Sequence, residues 1–274
     1  VVIQEDATKC IRGVQYDPAS NQMVGFVQSL DNRGLPEILA FPATTEAAIR
    51  SYFDTKERSE YVYCILAKPL MESASAFVLC CYGTNNKFKA DQTKARWQYQ
   101  LECAAAHNIM IRVFSSDGDS RCLSAMRERM FQACGNPLAW HFWFRAELDL
   151  TVVCVQDPTH VATKLRNLLL RNKILCVGKY FISVNHIQFM MDNTSQDQHK
   201  LREEDINPKD RMNFKSAEKL FSERVSTLLA LKTDDADATC VFLEMANGAT
   251  EAFFDRKLQP LQRITMRLLS LVME

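Results

Sequence analysis

The chain has 274 residues, enough for one large domain or two ordinary ones. At 47% hydrophobic and 24% charged it can bury a real core, which excludes a disordered chain. Lys+Arg and Asp+Glu both number 33, so no whole-chain field argues for nucleic acid, though a local basic groove stays open. No apolar run approaches the ~20 residues that span a bilayer, and no signal-type segment opens the chain. An intracellular protein with no membrane partner is expected. The ten cysteines form no C-x-x-C pair. They read as free thiols in a reducing compartment, with Cys64, Cys80 and Cys154 acting as small hydrophobes inside strands. The opening without an initiator Met and the end at Glu274 read as a fragment of something longer.

In chain order, Val1 to Asp6 reads as a strand that stops at once on a carboxylate. Ile11–Asp17 and Gln22–Gln28 read as two more strands around the turn Pro18–Asn21, and the three are expected to form an N-terminal antiparallel meander. After a loop over 29–44, a short helix over 45–55 is predicted, with Thr44 or Thr45 as its cap. Tyr61–Ala67 and Ala76–Tyr82 are continuously apolar and read as strands buried on both faces. Ala90 to His107 reads as a helix with Trp97, Leu101 and Ala104/Ala105 as its buried stripe, ended by Asn108.

The stretch from Met110 to Met126 is the one the rest is organised around. A β-branched apolar run breaks at Ser115-Ser-Asp117-Gly-Asp119-Ser, and a helix follows to about Ala133 with Leu123, Met126, Met130 and Phe131 on one face. A strand that ends in carboxylates and hands over to a helix presents them at the carboxyl end of a sheet, where α/β folds commonly bind ligands. The plainer alternative is a turn with Asp119 or Ser120 as helix cap. Gly135-Asn-Pro137 then breaks the chain. The aromatic run Trp140–Phe144 reads as core rather than a base-stacking surface, since only Arg145 lies nearby.

Thr151–Asp157 is another strand ending in Asp. It runs into a helix from Pro158, a residue suited to the first helical position. His160, Lys164, Asn167 and Arg171 share one face of that helix, while Val161, Leu165, Leu168 and Leu169 face the core. The basic face is either ordinary solvated surface or a phosphate-facing surface. Beyond residue 175 the chain reads as all-α, with helices over 180–193, 213–232, 237–254 and 259–273 and a polar connector over 192–209.

Asp6, Asp117 and Asp157 thus each end a strand. Carboxylate oxygens suit hard Mg²⁺. Two such ions about 4 Å apart can activate the attacking oxygen and stabilise the leaving one in phosphodiester chemistry. The expected fold is α/β, an RNase H-like mixed sheet over residues 1–175, in which the first strand adjoins the strand after the first core helix. An all-α insertion-type domain over 176–274 follows it.

The segments Gln4-Glu-Asp6-Ala-Thr, Ser115-Ser-Asp117-Gly-Asp-Ser-Arg and Asp157-Pro-Thr-His160-Val-Ala-Thr-Lys164-Leu-Arg166-Asn167 carry a resemblance. They are similar to the core of eukaryotic DNA transposases of the P-element and THAP-type group. Asp205-Ile-Asn-Pro-Lys-Asp210-Arg-Met-Asn-Phe214 is similar to the helical insertion of that group. The resemblance implies that Asp6 and Asp117 are the first two metal-binding carboxylates of a DDE/D triad, taking Mg²⁺ or Mn²⁺. It implies that Asp119, Asp157 and His160 border the site. Lys164, Arg166 and Arg171 are candidates for DNA phosphates. Implied partners are DNA and a second copy of the chain, and the implied compartment is the nucleus. The third acid of the family follows the helical insertion, and no motif marks Glu244, Glu251 or Glu274 as that residue. No zinc-binding spacing and no G-x-x-x-x-G-K-[ST] run occurs. Ancestral metal-dependent DNA cleavage and strand transfer is therefore expected to be incomplete in this chain. The competing readings are a domesticated, non-enzymatic DNA- or protein-binding module, a relic without a role, and an unrelated α/β enzyme with coincidental strand-end acids.

Overall fold

The structure, a computed structural model, describes residues 1–71, 73–130, 152–171, 175–255, 257 and 259. The expected aromatic run at 140–144, the break at 135–137 and all but residue 259 of the expected helix over 259–273 lie outside the described residues. Two compact units result, Val1–Asp157 and Pro158–Glu274.

In chain order the first unit holds β1 (Val2–Lys9), β2 (Gln15–Asp17), β3 (Gln22–Val24), α1 (Glu46–Thr55), β4 (Tyr61–Lys68) and β5 (Phe77–Thr84). It continues with α2 (Ala90–Ala106), β6 (Val113–Ser116), α3 (Ser120–Met130) and β7 (Val153–Gln156). Its five-stranded sheet has the order β5-β4-β1-β6-β7. β1 lies antiparallel to β4 and parallel to β6, so the strand after α2 is indeed the neighbour of the first strand.

The expected meander of β1 with the next two strands is corrected. β2 and β3 form a separate hairpin, and the antiparallel partners in the sheet are β4 and β5. The reason is burial capacity. β2 and β3 have three residues each and pack only into a small cluster around Met23, Phe26 and Phe41. β4 and β5 have eight residues each and bring Tyr63, Ile65 and Tyr82 to the main core. β5 is also an edge strand, so its apolar Phe77, Val78 and Leu79 are exposed rather than buried on both faces.

One face of the sheet carries α2 and α3. Ile3, Tyr63, Ile65, Phe114 and Cys154 meet Trp97 of α2 and Cys122, Ala125 and Met126 of α3. Trp97 stacks on Phe114, with ring centroids 4.9 Å apart and planes at 17°, and neither is exposed. α2 ends where expected, at Asn108, whose φ of 56° is the left-handed conformation that Asn tolerates better than most residues. α1 is capped by Thr45, whose Oγ1 accepts from the amide of Ala48 at 3.2 Å.

The second unit holds α4 (Pro158–Leu169), the hairpin of β8 (Leu175–Val177) and β9 (Tyr180–Ile182), α5 (Val184–Asn193) and α6 (Gln196–His199). A 3-10 turn (Glu203–Ile206), α7 (Phe214–Leu220), α8 (Glu223–Lys232) and α9 (Asp237–Phe254) follow. It is mainly helical, but the β8–β9 hairpin corrects the all-α expectation past residue 175. The expected single helix over 213–232 is two, because Phe221 closes α7 and Ser222 takes the extended N-cap position of α8. The core includes Ile187, Met190, Leu220, Leu229 and Leu243. α4, which the sequence groups with the sheet, packs on this core through Ala162 and Leu169.

Candidate functional site

The register of the sheet sets the geometry of the three aspartates. The β1–β6 ladder ends at Glu5↔Ser116 and the β6–β7 ladder at Ser116↔Gln156. The Asp157 amide extends the latter by donating to the Ser116 carbonyl at 2.8 Å. Asp117 and Asp157 stand one residue past the ends of β6 and β7. Asp6 does not end its strand as expected: β1 runs on to Lys9 with Asp6 paired to Cys64. Only its parallel ladder with β6 stops at Glu5, which leaves the three aspartates at the same level of adjacent strands. Ile3 and Glu5, Phe114 and Ser116, and Cys154 are buried toward the helices. Strand alternation therefore assigns Asp6, which lies within β1, to the other side, while Asp117 and Asp157 sit just past the ends of β6 and β7. All three are half-buried. Across β1 the row continues through Cys64, the register partner of Asp6, to Cys81, the partner of Cys64. Burial, the contact with Cys81 and the Asp6 charge push the Cys64 thiol up to about 11.

Short local bonds shape the turn after β6. Asp117 Oδ1 accepts from the amide of Asp119 at 2.9 Å, an Asx-type turn. Asp119 caps α3: its carbonyl accepts from the Leu123 amide at 2.9 Å and its Oδ1 from the Arg121 amide at 2.8 Å. The Arg121 guanidinium also binds Asp119 and holds its carboxyl below the usual range despite partial burial. Asp119 is thus occupied as a cap, the plainer of its two readings. Asp6 accepts from the Thr8 hydroxyl at 3.3 Å.

Behind the row lies a buried polar cluster that the sequence reading missed. Arg96 of α2 donates from Nε and Nη2 to the two oxygens of Glu5, at 2.9 and 2.8 Å. Tyr63 donates its hydroxyl to Glu5 at 2.9 Å, and Arg96 Nη1 donates to the Gly34 carbonyl at 2.9 Å. Glu5, Arg96 and Tyr63 are all buried. Burial, then the Glu5 charge, raises the Tyr63 phenol well above its ordinary value. Burial alone would weaken the Arg96 charge; Glu5 more than restores it. Gly34 has φ +72°, and a Cβ there would collide with the Gln92 carbonyl, so this loop reaches Arg96 only with glycine. A signal existed: Thr93, Arg96 and Trp97 share one helix face at i, i+3 and i+4, which puts Arg96 inside the buried stripe.

On α4 the basic residues separate. Lys164 is exposed and His160 half-buried, whereas Arg171, exposed, lies past the end of α4 at Leu169, which corrects its expected place on one face of that helix. Asn167 donates to the Arg211 carbonyl at 2.9 Å. Arg166 is fully buried, which corrects its reading as a phosphate ligand. Its guanidinium donates to the carbonyls of Asp205 at 2.9 Å, Asp210 at 2.6 Å, Asn207 at 3.2 Å and Glu204 at 3.3 Å. It ties down a loop that returns over α4.

No group of three or more His, Cys, Asp or Glu side chains able to hold a metal occurs among the described residues. The row offers a pair of carboxylates on adjoining strands, which suits an ion that keeps several waters and takes one or two carboxylates. Of the acids in the helical half, Glu244 and Glu251 lie on α9, and Glu251 accepts from Asn247 at 3.0 Å. Glu274 lies outside the described residues. Among the described residues no helix is long and apolar enough to cross a membrane.

No family model matches the chain, and no curated protein matches it. A solved structure does: the Drosophila P element transposase strand transfer complex, with a TM-score of 0.63 at 14% identity. The likeness covers 94% of this chain and 52% of that one, so this chain spans about half the length of that transposase chain. The mixed five-stranded sheet and its helices have a transposase-like fold.

Proposed function

We propose that the chain is a transposase-derived, RNase H-like domain that binds DNA and holds a divalent ion, Mg²⁺ or Mn²⁺, through Asp6 and Asp117. The observation that carries this is their shared position, one residue past Glu5↔Ser116, in a transposase-like fold. The strand order, antiparallel on one side of β1 and parallel on the other, supports the RNase H-like reading. Such an ion supplies Lewis-acid stabilisation of phosphodiester oxygens and activation of the attacking oxygen. The chain's own residues supply rigidity. The Glu5–Arg96–Tyr63 cluster fixes β1 immediately before Asp6, and the Asp119–Arg121 cap fixes the turn after Asp117. Asp157 borders the site, and the second unit is the helical insertion-type domain. Lys164 and Arg171 are the cations offered to DNA phosphates. With two carboxylates in place, metal-dependent DNA association is the activity of this chain, and cleavage or strand transfer needs a third acid.

The test is retention of a short DNA duplex in Mg²⁺ against EDTA, for the wild type, Asp6→Asn and Asp117→Asn. The expected result is Mg²⁺-dependent retention, lost in both variants. Metal-independent retention, unchanged in both, would overturn the proposal in favour of a domesticated binding module without a metal site.

A further inference from the structure

Cys64 on β4 and Cys81 on β5 are direct register partners, and their Sγ atoms lie 3.2 Å apart. Residues directly opposite in an antiparallel pair have Cα atoms about 4.5–5.5 Å apart. That lies inside the span of about 4.4–6.8 Å that a disulfide bridges. Closing to a bond of about 2.05 Å therefore asks only for side-chain rotation. The neighbouring Cys80 is not a competitor: it pairs with Ile65 and packs against the core on the helical face. Cys122 and Cys154 are buried in that same core. Cys81 is exposed, so a reagent in solution reaches it first, while Cys64 stands half-buried behind it.

We propose that Cys64 and Cys81 form a reversible thiol–disulfide modification site, oxidised by a small disulfide of the glutathione class. The Cys81 sulfur, having lost its proton to solvent, attacks one sulfur of the small disulfide and expels the other as a thiolate. The Cys64 thiol then attacks Cys81 Sγ in the mixed disulfide, giving its proton to solvent as the S–S bond forms, and expels the second thiolate. The two protein thiols give up two electrons and two protons, and the small disulfide is reduced to two thiols. An excess of small thiol reverses both steps. The bond ties the edge strand to β4 beside Asp6. The inference stands on register and sulfur geometry and does not depend on the metal reading.

The test exposes the full chain to oxidised glutathione, natively and in urea, followed by non-reducing digestion and mass spectrometry. The expected native product is a Cys64–Cys81 linked peptide in roughly tenfold excess over any other cysteine pair, as proximity dictates. It forms equally in Cys80→Ser and loses its preference in urea. In Cys64→Ser, the glutathione adduct stays on Cys81. A wild type that accumulates the Cys81 adduct without closure would overturn the proposal, as would a linkage that needs Cys80 or forms equally in urea.

Discussion

Arg96 grips Glu5 through two hydrogen bonds, of 2.9 and 2.8 Å, with no part of either side chain open to solvent. The residue after Glu5 is the candidate ligand Asp6, so this ion pair sets the position of the site from behind. Arg96→Met removes one partner and leaves a buried carboxylate unpaired. The expected cost is about 3–5 kcal/mol, read as a lower urea midpoint. Adding Glu5→Gln to that variant should recover much of the loss, because the uncompensated charge is gone. A loss below about 1 kcal/mol in Arg96→Met would show that β1 is held by its apolar contacts alone.

The basic residues of α4 and of the turn just after it should separate by role. Lys164→Ala and Arg171→Ala each weaken DNA association modestly, leave stability nearly unchanged and lower the salt slope by about one. Arg166→Met does the reverse. It orphans the carbonyls of Asp205 and Asp210 and destabilises the helical unit by about 2–4 kcal/mol. Salt-dependent DNA titrations alongside urea melts check both.

Acid should weaken the helical unit through Asp205. Burial opposes its ionisation, but Ser216, the Arg202 amide and Lys219 prevail, so the carboxyl lies below its ordinary value of 3.8. A depressed folded-state value means that the stabilisation is complete above the unfolded value and is lost as pH falls through the folded one. Urea midpoints should therefore fall as pH is taken from 5 toward 3, and Asp205→Asn should flatten that stretch of the curve while lowering the midpoint at pH 7. An unchanged slope in Asp205→Asn would assign the acid sensitivity elsewhere.

The ends of β6 and β7 were legible because a short apolar run that halts on Asp117 or Asp157 needs no partner to be recognised. β1, however, runs past Asp6 to Lys9 because β4 offers it a partner along that whole length. Pairing was less legible. β2 and β3 follow β1 closely in sequence, yet β4 won the place beside it, with β5 beyond, because these strands carry Tyr63, Ile65 and Tyr82 to bury. The exposed Phe77-Val78-Leu79 of β5 shows that an apolar run does not reveal how many of its faces are covered. Arg166 reads from the sequence as a phosphate candidate, whereas the chain returns over α4 and encloses it. Glu5 and Arg96, 91 positions apart, became partners only through β1 and α2 packing together.

The central claim is that Asp6 and Asp117 act as a pair toward one divalent ion. Mn²⁺ titration followed by electron paramagnetic resonance measures this without DNA and without turnover. The account predicts a bound Mn²⁺ population in the wild type that Mg²⁺ displaces. It is lost in Asp6→Asn and in Asp117→Asn while the circular dichroism of both variants matches the wild type. A wild type that leaves all its Mn²⁺ free, or variants that bind it as well as the wild type does, would contradict the account.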